Sequence, residues 1–256
     1  MPGIKLVSLN IERSAHLPLV EAFFAREEPD VICLQELIGE DVPRLQSALP
    51  GYEVYFEPMG IRPDEAPSLT MGLGIFSRLP MRRLGPIFYV GSKDDPLLAS
   101  KSEKAETYNN FRRFVLAADI ESDGVLYRVA TTHFTWTPNG QATDEQRTDL
   151  REMLRVLDEL GQFVLVGDFN APRGLPGQGG EIFSALAERY KDNVPPEYKT
   201  SLDPLFHRAR LTNPRDLDDK MVDGFFTTKD YRAKNVYMQG GVSDHFALIG
   251  EVEKTA

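Results

Sequence analysis

The sequence is short of several things, and each shortage closes off a class of protein. It has one cysteine, Cys33, in 256 residues. A lone thiol makes no internal disulfide and no thiolate metal cluster, so a disulfide-stapled scaffold and a cysteine-type zinc site are excluded. Long apolar runs are missing. The longest, Phe114 to Ala118, has five residues, against the roughly 20 that a membrane-spanning helix needs. The first residues, Met1-Pro2-Gly3-Ile4-Lys5, carry no apolar stretch of signal-peptide length. The expectation is a soluble, cytoplasmic protein without a membrane anchor. Positive charge is also in deficit, with 29 Lys and Arg against 39 Asp and Glu and a formal net charge of −10. That balance argues against broad electrostatic tracking along a duplex, which wants a basic face. It leaves acids available to gather round a cation.

What is present is globular. At 41% apolar and 27% charged residues the chain is not disordered, and its length suits one catalytic domain, residues 1–256. No repeat, low-complexity tract or composition break divides it. Strands are expected over Ile4 to Ile11, Val31 to Leu34, Tyr52 to Glu57, Gly72 to Ser77 and Gly85 to Val90. Phe111 to Glu121 and Val125 to Thr135 flank Ser122-Asp123-Gly124, the pattern of a β-hairpin. Phe163 to Val166, Val222 to Thr227, Asn235 to Gln239 and Phe246 to Val252 complete the strands. One helix starts near Pro18, with Ser14 as a possible cap. A second opens on the capping box Thr143-Asp144-Glu145-Gln146, runs through Leu150, Leu154 and Leu157, and stops at Gly161. A short third carries Phe183, Leu186, Ala187 and Tyr190. Hairpins mixed with strand–helix alternation give an α/β (α+β) protein of two mixed sheets packed face to face with helices outside. Two long loops are expected, Gly91 to Asn110 and Lys191 to Met221, and Gly174 to Gly180 reads as a flexible loop.

Five apolar strands end in polar residues that catalysis uses. Leu6 to Leu9 leads to Asn10, and Val31 to Leu34 leads to Gln35-Glu36. Val129 to Thr132 leads to His133, Phe163 to Gly167 leads to Asp168-Phe169-Asn170, and Gly240 to Ser243 leads to Asp244-His245. Carboxylates beside a core are costly unless a cation or hydrogen bonds compensate them. An oxygen-rich set without thiolates suits Mg²⁺ or Mn²⁺. Taken singly, each residue also has an ordinary reading as a strand terminus, a turn residue or a satisfied histidine; the conjunction is what points to a site.

These segments resemble the endonuclease/exonuclease/phosphatase (DNase I-like) superfamily of metal-dependent phosphoesterases. The resemblance is carried by Ser8-Leu9-Asn10-Ile11, Leu34-Gln35-Glu36, Gly72 to Arg78, Thr131-Thr132-His133-Phe134, Gly167-Asp168-Phe169-Asn170, Val222-Asp223-Gly224-Phe225-Phe226 and Ser243-Asp244-His245-Phe246. It implies a four-layer α/β sandwich and a division of labour. Glu36 would be the principal metal ligand, with Asn10 beside it and Asp244 near. Asp168 would orient and deprotonate water, helped by Asn170. His245 would donate to a phosphate oxygen, with Asp223 fixing its tautomer, and His133 would contact the phosphate or assist the leaving group. Whether Asp168 or His245 is the general base stays open.

Other residues carry two readings. Glu12 is a ligand or a surface acid. Trp136 stacks on a base or packs, packing being the commoner fate of tryptophan. One of Arg112 and Arg113, adjacent on a strand, could clamp phosphate. His16 and His207 are expected on the surface. Residues 78–113 hold 8 basic and 4 acidic side chains, either a solvated surface or a basic rim, with Lys101 and Lys104 among its members. No Gly-x-Ser-x-Gly, His-Glu-x-x-His or Walker pattern is present. The expected function is a divalent-metal phosphodiesterase or nuclease acting on a nucleic acid or nucleotide. Hydrolysis of a small or lipid-derived phosphoester (inositol phosphate or sphingomyelin-like) is the alternative. An inactive binding module would need a broken site.

Overall fold

The computed structural model describes residues 3–62, 69–98, 111–174 and 180–255. Lys101 and Lys104, and residues 175–179 of the glycine-rich segment, lie outside them. In chain order the elements are β1 (Gly3–Asn10), α1 (Leu17–Glu27), β2 (Val31–Ile38), α2 (Val42–Ala48), β3 (Glu53–Arg62), β4 (Leu69–Ser77), β5 (Met81–Val90) and β6 (Arg113–Ser122). There follow β7 (Val125–His133), α3 (Asp144–Leu160), β8 (Val164–Asp168), α4 (Gly180–Arg189), β9 (Lys191–Asp192), β10 (Asp223–Thr227), β11 (Tyr231–Gln239) and β12 (Ala247–Lys254). They form two six-stranded sheets, ordered β11-β12-β1-β2-β4-β3 and β5-β6-β7-β8-β10-β9. The central pairs β1–β2 and β7–β8 are parallel.

Alternation along the strands builds four layers. Leu6, Cys33, Leu116, Val129 and Val166 point into one core between the sheets. Their neighbours Val7, Leu9, Ile32 and Leu34 point outward onto Val20, Phe23 and Phe24 of α1 and Leu45 of α2. Val115, Ala117, Ala130 and Leu165 of the other sheet point outward onto Met153 and Leu157 of α3 and Phe183 and Leu186 of α4. Period-two residues buried on both faces therefore specify the sandwich. Gly72 and Gly74 serve packing, since a Cβ on Gly72 would lie 2.1 Å from Glu57 O. The hairpin turn at Asp123-Gly124 has φ of 49° and 77°, the positive values a two-residue turn of this kind needs.

Three local expectations change, and one helix was not foreseen. Ser14 does not cap α1; its hydroxyl donates to Asp41, and His16 stands at the cap position without a side-chain bond. The capping box at α3 is half formed. Thr143 Oγ1 accepts from Gln146 N, but the Gln146 amide turns away to donate to Thr135 O. Helix α2 had no expectation, being short and containing Pro43. Residues 191–221 are not a structureless loop. They hold β9, two 3₁₀ turns (Arg208–Leu211 and Pro214–Leu217) and a small core of Leu202, Leu217 and Val222.

Candidate active site

Both parallel strand pairs end at the same edge of the sandwich, and their last residues meet there. In β2, Leu34 and Leu37 both face the helical layer, which simple alternation forbids. A register shift between them inserts one residue, and Glu36 takes a left-handed φ of 55°. Gln35 stays between the sheets, donating from Nε2 to Thr131 Oγ1 of β7 at 3.0 Å. The bulge thus aims Glu36 at the cleft. Across the sandwich, His133 pairs in register with Asp168, and Asp168 with Asp223. Gly167 permits that close approach: its φ is 146°, and a Cβ would lie 2.1 Å from Thr132 O.

Asp168 is 1% exposed and is the hub. Its Oδ1 accepts from Asn170 N at 2.8 Å and its Oδ2 from Asn10 Nδ2 at 3.1 Å. His133 Nε2 lies 3.6 Å and His245 Nε2 4.0 Å from the same Oδ2. Burial raises the Asp168 pKa; the His245 charge opposes this and Asp223 reinforces it. His245 Nδ1 is 2.8 Å from Asp223 Oδ2. Burial disfavours charge on His245, but Asp223, Asp244 and Asp168 outweigh it and hold its pKa well above the usual histidine range. His133 goes the other way: burial holds its pKa down against the pull of Asp168.

Asn10, Glu36, His133, Asp168, Asn170, Asp223, Asp244 and His245 come together, and His133 and Asn10 are the two placed differently from the expectation. His133 is 1% exposed and does not line the cleft; it backs Asp168 and stands 4.0 Å from Glu36 Oε1 instead of facing a phosphate. Asn10 turns its Nδ2 to Asp168 and, at 3.5 Å, to Glu36, while its Oδ1 accepts from Glu12 N. In this orientation it is a donor between two carboxylates, and metal ligation through its oxygen would require the amide to turn over. Asn170, at φ 51°, donates to Phe134 O, which leaves its second amide hydrogen for the cleft.

Arg112 and Arg113 lie outside the site. Arg112 donates to Pro58 O and Lys93 O. Arg113 is buried and donates to His133 O at 2.9 Å and Phe134 O at 3.3 Å, so it holds backbone where a phosphate clamp was expected. Of the basic residues in 78–113, Arg78 pairs with Asp30 and Arg82 with Asp119, and neither lines the cleft.

The cleft has a volume of about 870 Å³, within the usual range for a small-ligand site. Glu12 and Trp136, each of which carried two readings, line it, and so does His207, which was expected on the surface. Glu12 sits in a turn with φ 46° and holds His16 Nε2 at 2.9 Å. His16 packs against Phe206 with the rings tilted by 49° and their centroids 4.6 Å apart, so it is not a free surface residue. His207 is half-buried, and burial pushes its pKa down to about 4. No local sequence signal marks it. It is carried to the site by long-range pairing of Leu202 with His245.

Among the described residues no three His, Cys, Asp or Glu side chains form a closed metal cage. The donor chemistry nevertheless fits a divalent cation. Burial pushes the Asp244 carboxyl up to about 7; the His245 charge opposes this, and Glu12 and Glu36 reinforce it. Carboxylates crowded in this way are relieved by a hard cation among their oxygens.

Comparison with known proteins agrees with this fold. The model of the Endonuclease/Exonuclease/phosphatase family matches residues 7–245. No curated protein sequence matches the chain. Among solved structures, an endonuclease/exonuclease/phosphatase from Beutenbergia cavernae superposes with a TM-score of 0.73 at 20% identity, over 100% of this chain and 72% of that one. The human Nocturnin catalytic domain with bound sulfate gives a TM-score of 0.68 at 16% identity, over 99% and 94%. A Bacteroides thetaiotaomicron mannosyl-6-phosphatase gives 0.67 at 16%, over 99% and 100%. At these identities the likeness to the structures is one of fold.

Proposed function

We propose that this chain, which belongs to the Endonuclease/Exonuclease/phosphatase family, is a divalent-metal-dependent phosphodiesterase acting on a nucleotide or nucleic acid. The observation that carries the reading is the convergence of His133, His245 and Asn10 on one oxygen of Asp168. A buried carboxylate held by two N–H donors, with its pKa raised, is an oriented base. It can take a proton from water placed beside it. His245, held cationic by Asp223, offers Nε2–H to a phosphoryl oxygen on which charge builds. On this reading Asp168 is the base and His245 has the electrostatic role. His133, kept neutral by burial, positions Asp168. Asn170 offers its remaining amide hydrogen to a phosphate oxygen.

Glu36 and Asp244, with Glu12 at the edge, would hold Mg²⁺ or Mn²⁺, which supplies charge neutralisation at the phosphoryl and leaving oxygens. Attack in line requires water and leaving oxygen on opposite sides of the phosphorus. Among the described residues no helix is long and apolar enough to cross a membrane, and nothing in the cleft favours a lipid over a nucleotide. The test is hydrolysis of a nucleotide diester after chelation and reloading. Activity lost in chelator and restored by Mg²⁺ or Mn²⁺ is expected; full activity in chelator would overturn the metal reading.

A further inference from the structure

The layer between the sheets changes character one step below the cleft. Deep in it, paired strand residues are apolar on both sides: Leu6 with Val31 in the first sheet, Val129 with Val164 in the second. One step toward the cleft, Ser8 pairs with Cys33 and Thr131 with Val166. The last pairs, Asn10 with Gln35 and His133 with Asp168, reach the site. Side chains two apart on a strand share a face, so Ser8 and Thr131 face inward beneath Asn10 and His133. Ser8, Gln35 and Thr131 are all buried.

Gln35 crosses this layer. Its Nε2 donates to Thr131 Oγ1 at 3.0 Å, with Ser8 Oγ at 3.3 Å and Cys33 O at 3.4 Å as further acceptors. Its Oε1 is buried without a hydrogen-bond partner among the described residues. An amide and two hydroxyls inside an apolar layer add little net stability, and apolar groups of the same shape would pack as well or better. Stability does not explain them. Position does. Glu36 and Asp244, the carboxylates read as metal ligands, belong to β2 and to the segment entering β12, both strands of the first sheet. Asp168, with His133 behind it, belongs to the second. The gap between the sheets is therefore the gap between metal and base.

We propose that Gln35 is a positioning residue: its bond to Thr131 is a strut between the sheets that sets the separation of Glu36 from Asp168 without adding stability. The other sheet-to-sheet bonds at this edge, Asn10 to Asp168 and His245 to Asp223, are made by groups of the site itself. Gln35 and Thr131 do not line the cleft, so they act on the site only through the strands that carry it. A misplacement of about 1 Å between reacting groups can cost on the order of 10²-fold in rate. The purpose of the strut rests on the phosphodiester reading; its geometry does not.

The test replaces the whole cluster by apolar groups of similar shape, in the variant Ser8→Ala/Gln35→Met/Thr131→Val. The full chain is expected to be at least as stable as wild type in urea, because all the partners go together. Its affinity for Mg²⁺ by calorimetry should stay within about twofold, since both carboxylates sit on one sheet; on a dinucleotide, kcat should fall about tenfold or more while KM stays within about twofold. Thr131→Ser keeps the acceptor oxygen and should keep kcat within about twofold of wild type. A triple variant with wild-type kcat overturns the strut. So does one that loses stability and Mg²⁺ affinity along with kcat, because Gln35 would then merely hold the fold together. Crystal structures of both proteins supply a readout that needs no substrate: the separation of Glu36 from Asp168 should change by about 0.5 Å or more, and an unchanged separation overturns the proposal. Wild-type protein that cleaves no diester in Mg²⁺ overturns the phosphodiester reading instead, and the two crystal structures then decide the strut alone.

Discussion

His245 stands between two aspartates that are themselves directly paired across a sheet. Its Nδ1 is 2.8 Å from Asp223 Oδ2, its Nε2 is 4.0 Å from Asp168 Oδ2, and Asp168 and Asp223 are partners in the β8–β10 register. One antiparallel pair therefore sets both the partner that charges the imidazole and the carboxylate that faces its other nitrogen. The ring needs no further fastening to point Nε2 at the cleft.

Replacing either end of this relay should cost turnover, not fold. Asp168→Asn and His245→Gln are each expected to lower kcat by about 10²-fold or more, the scale of lost acid–base and electrostatic assistance. Asp223→Asn should lower kcat as well, since an amide cannot favour the imidazolium as a carboxylate does. Circular dichroism should stay native in all three. Turnover near wild type in Asp168→Asn would move the base elsewhere.

Glu36 and Asp244 carry a separate prediction, readable without substrate. Mg²⁺ should raise the melting temperature of the wild-type protein, because a ligand that binds only the folded state stabilises it. Glu36→Gln and Asp244→Asn should abolish that increment. Glu36→Gly should do the same while relieving the left-handed backbone, by about 1 kcal/mol measured in chelator. A Mg²⁺ increment that survives in Glu36→Gln would place the cation outside this cleft.

The sandwich and most of the site-bearing strand ends were legible because both rest on short-range pattern. Apolar alternation marks Leu6 to Leu9 and Phe163 to Val166, and the polar residues that follow them fall at one edge. What was not legible depends on long-range pairing. The bulge that redirects Glu36 shows only once Leu34 and Leu37 are seen on the same face. The wall carrying His207 exists because Ser201 and Asp203 bond to the backbone of Phe246 and Asp244. Arg112 and Arg113 read as phosphate binders because nothing local distinguishes a guanidinium that holds carbonyls from one that holds a ligand.

Arg113 should therefore behave as a structural residue. Its guanidinium serves His133 O and Phe134 O from a buried position, and a lysine cannot reach both with the same fork. Arg113→Lys is expected to destabilise the protein by about 1–3 kcal/mol in urea, with KM for a diester unchanged. A raised KM with unchanged stability would return Arg113 to phosphate binding.

Asp119 gives the pH dependence of stability, far from the cleft. It is 3% exposed and accepts from Arg128 Nε at 2.8 Å and Arg82 Nη2 at 2.5 Å. Burial opposes its charge, yet Arg128 and Arg82 outweigh burial and hold its pKa below the ordinary carboxylate value. Arg128 also donates to Leu160 O, so the cluster ties β6 and β7 to the end of α3. A carboxyl with a lower pKa folded than unfolded contributes stability that is complete above the unfolded value, roughly 3.9, and is lost as pH falls through the folded one. Both arginines are partly exposed, so solvent screening limits the contribution to about 1–3 kcal/mol. Asp119→Asn should be less stable than wild type by that amount at pH 7, and the two proteins should converge as the pH falls below the folded pKa. Urea unfolding at neutral and acid pH measures both values. A difference that stays constant between them would mean that Asp119 contributes through shape and neutral hydrogen bonds and not through its charge.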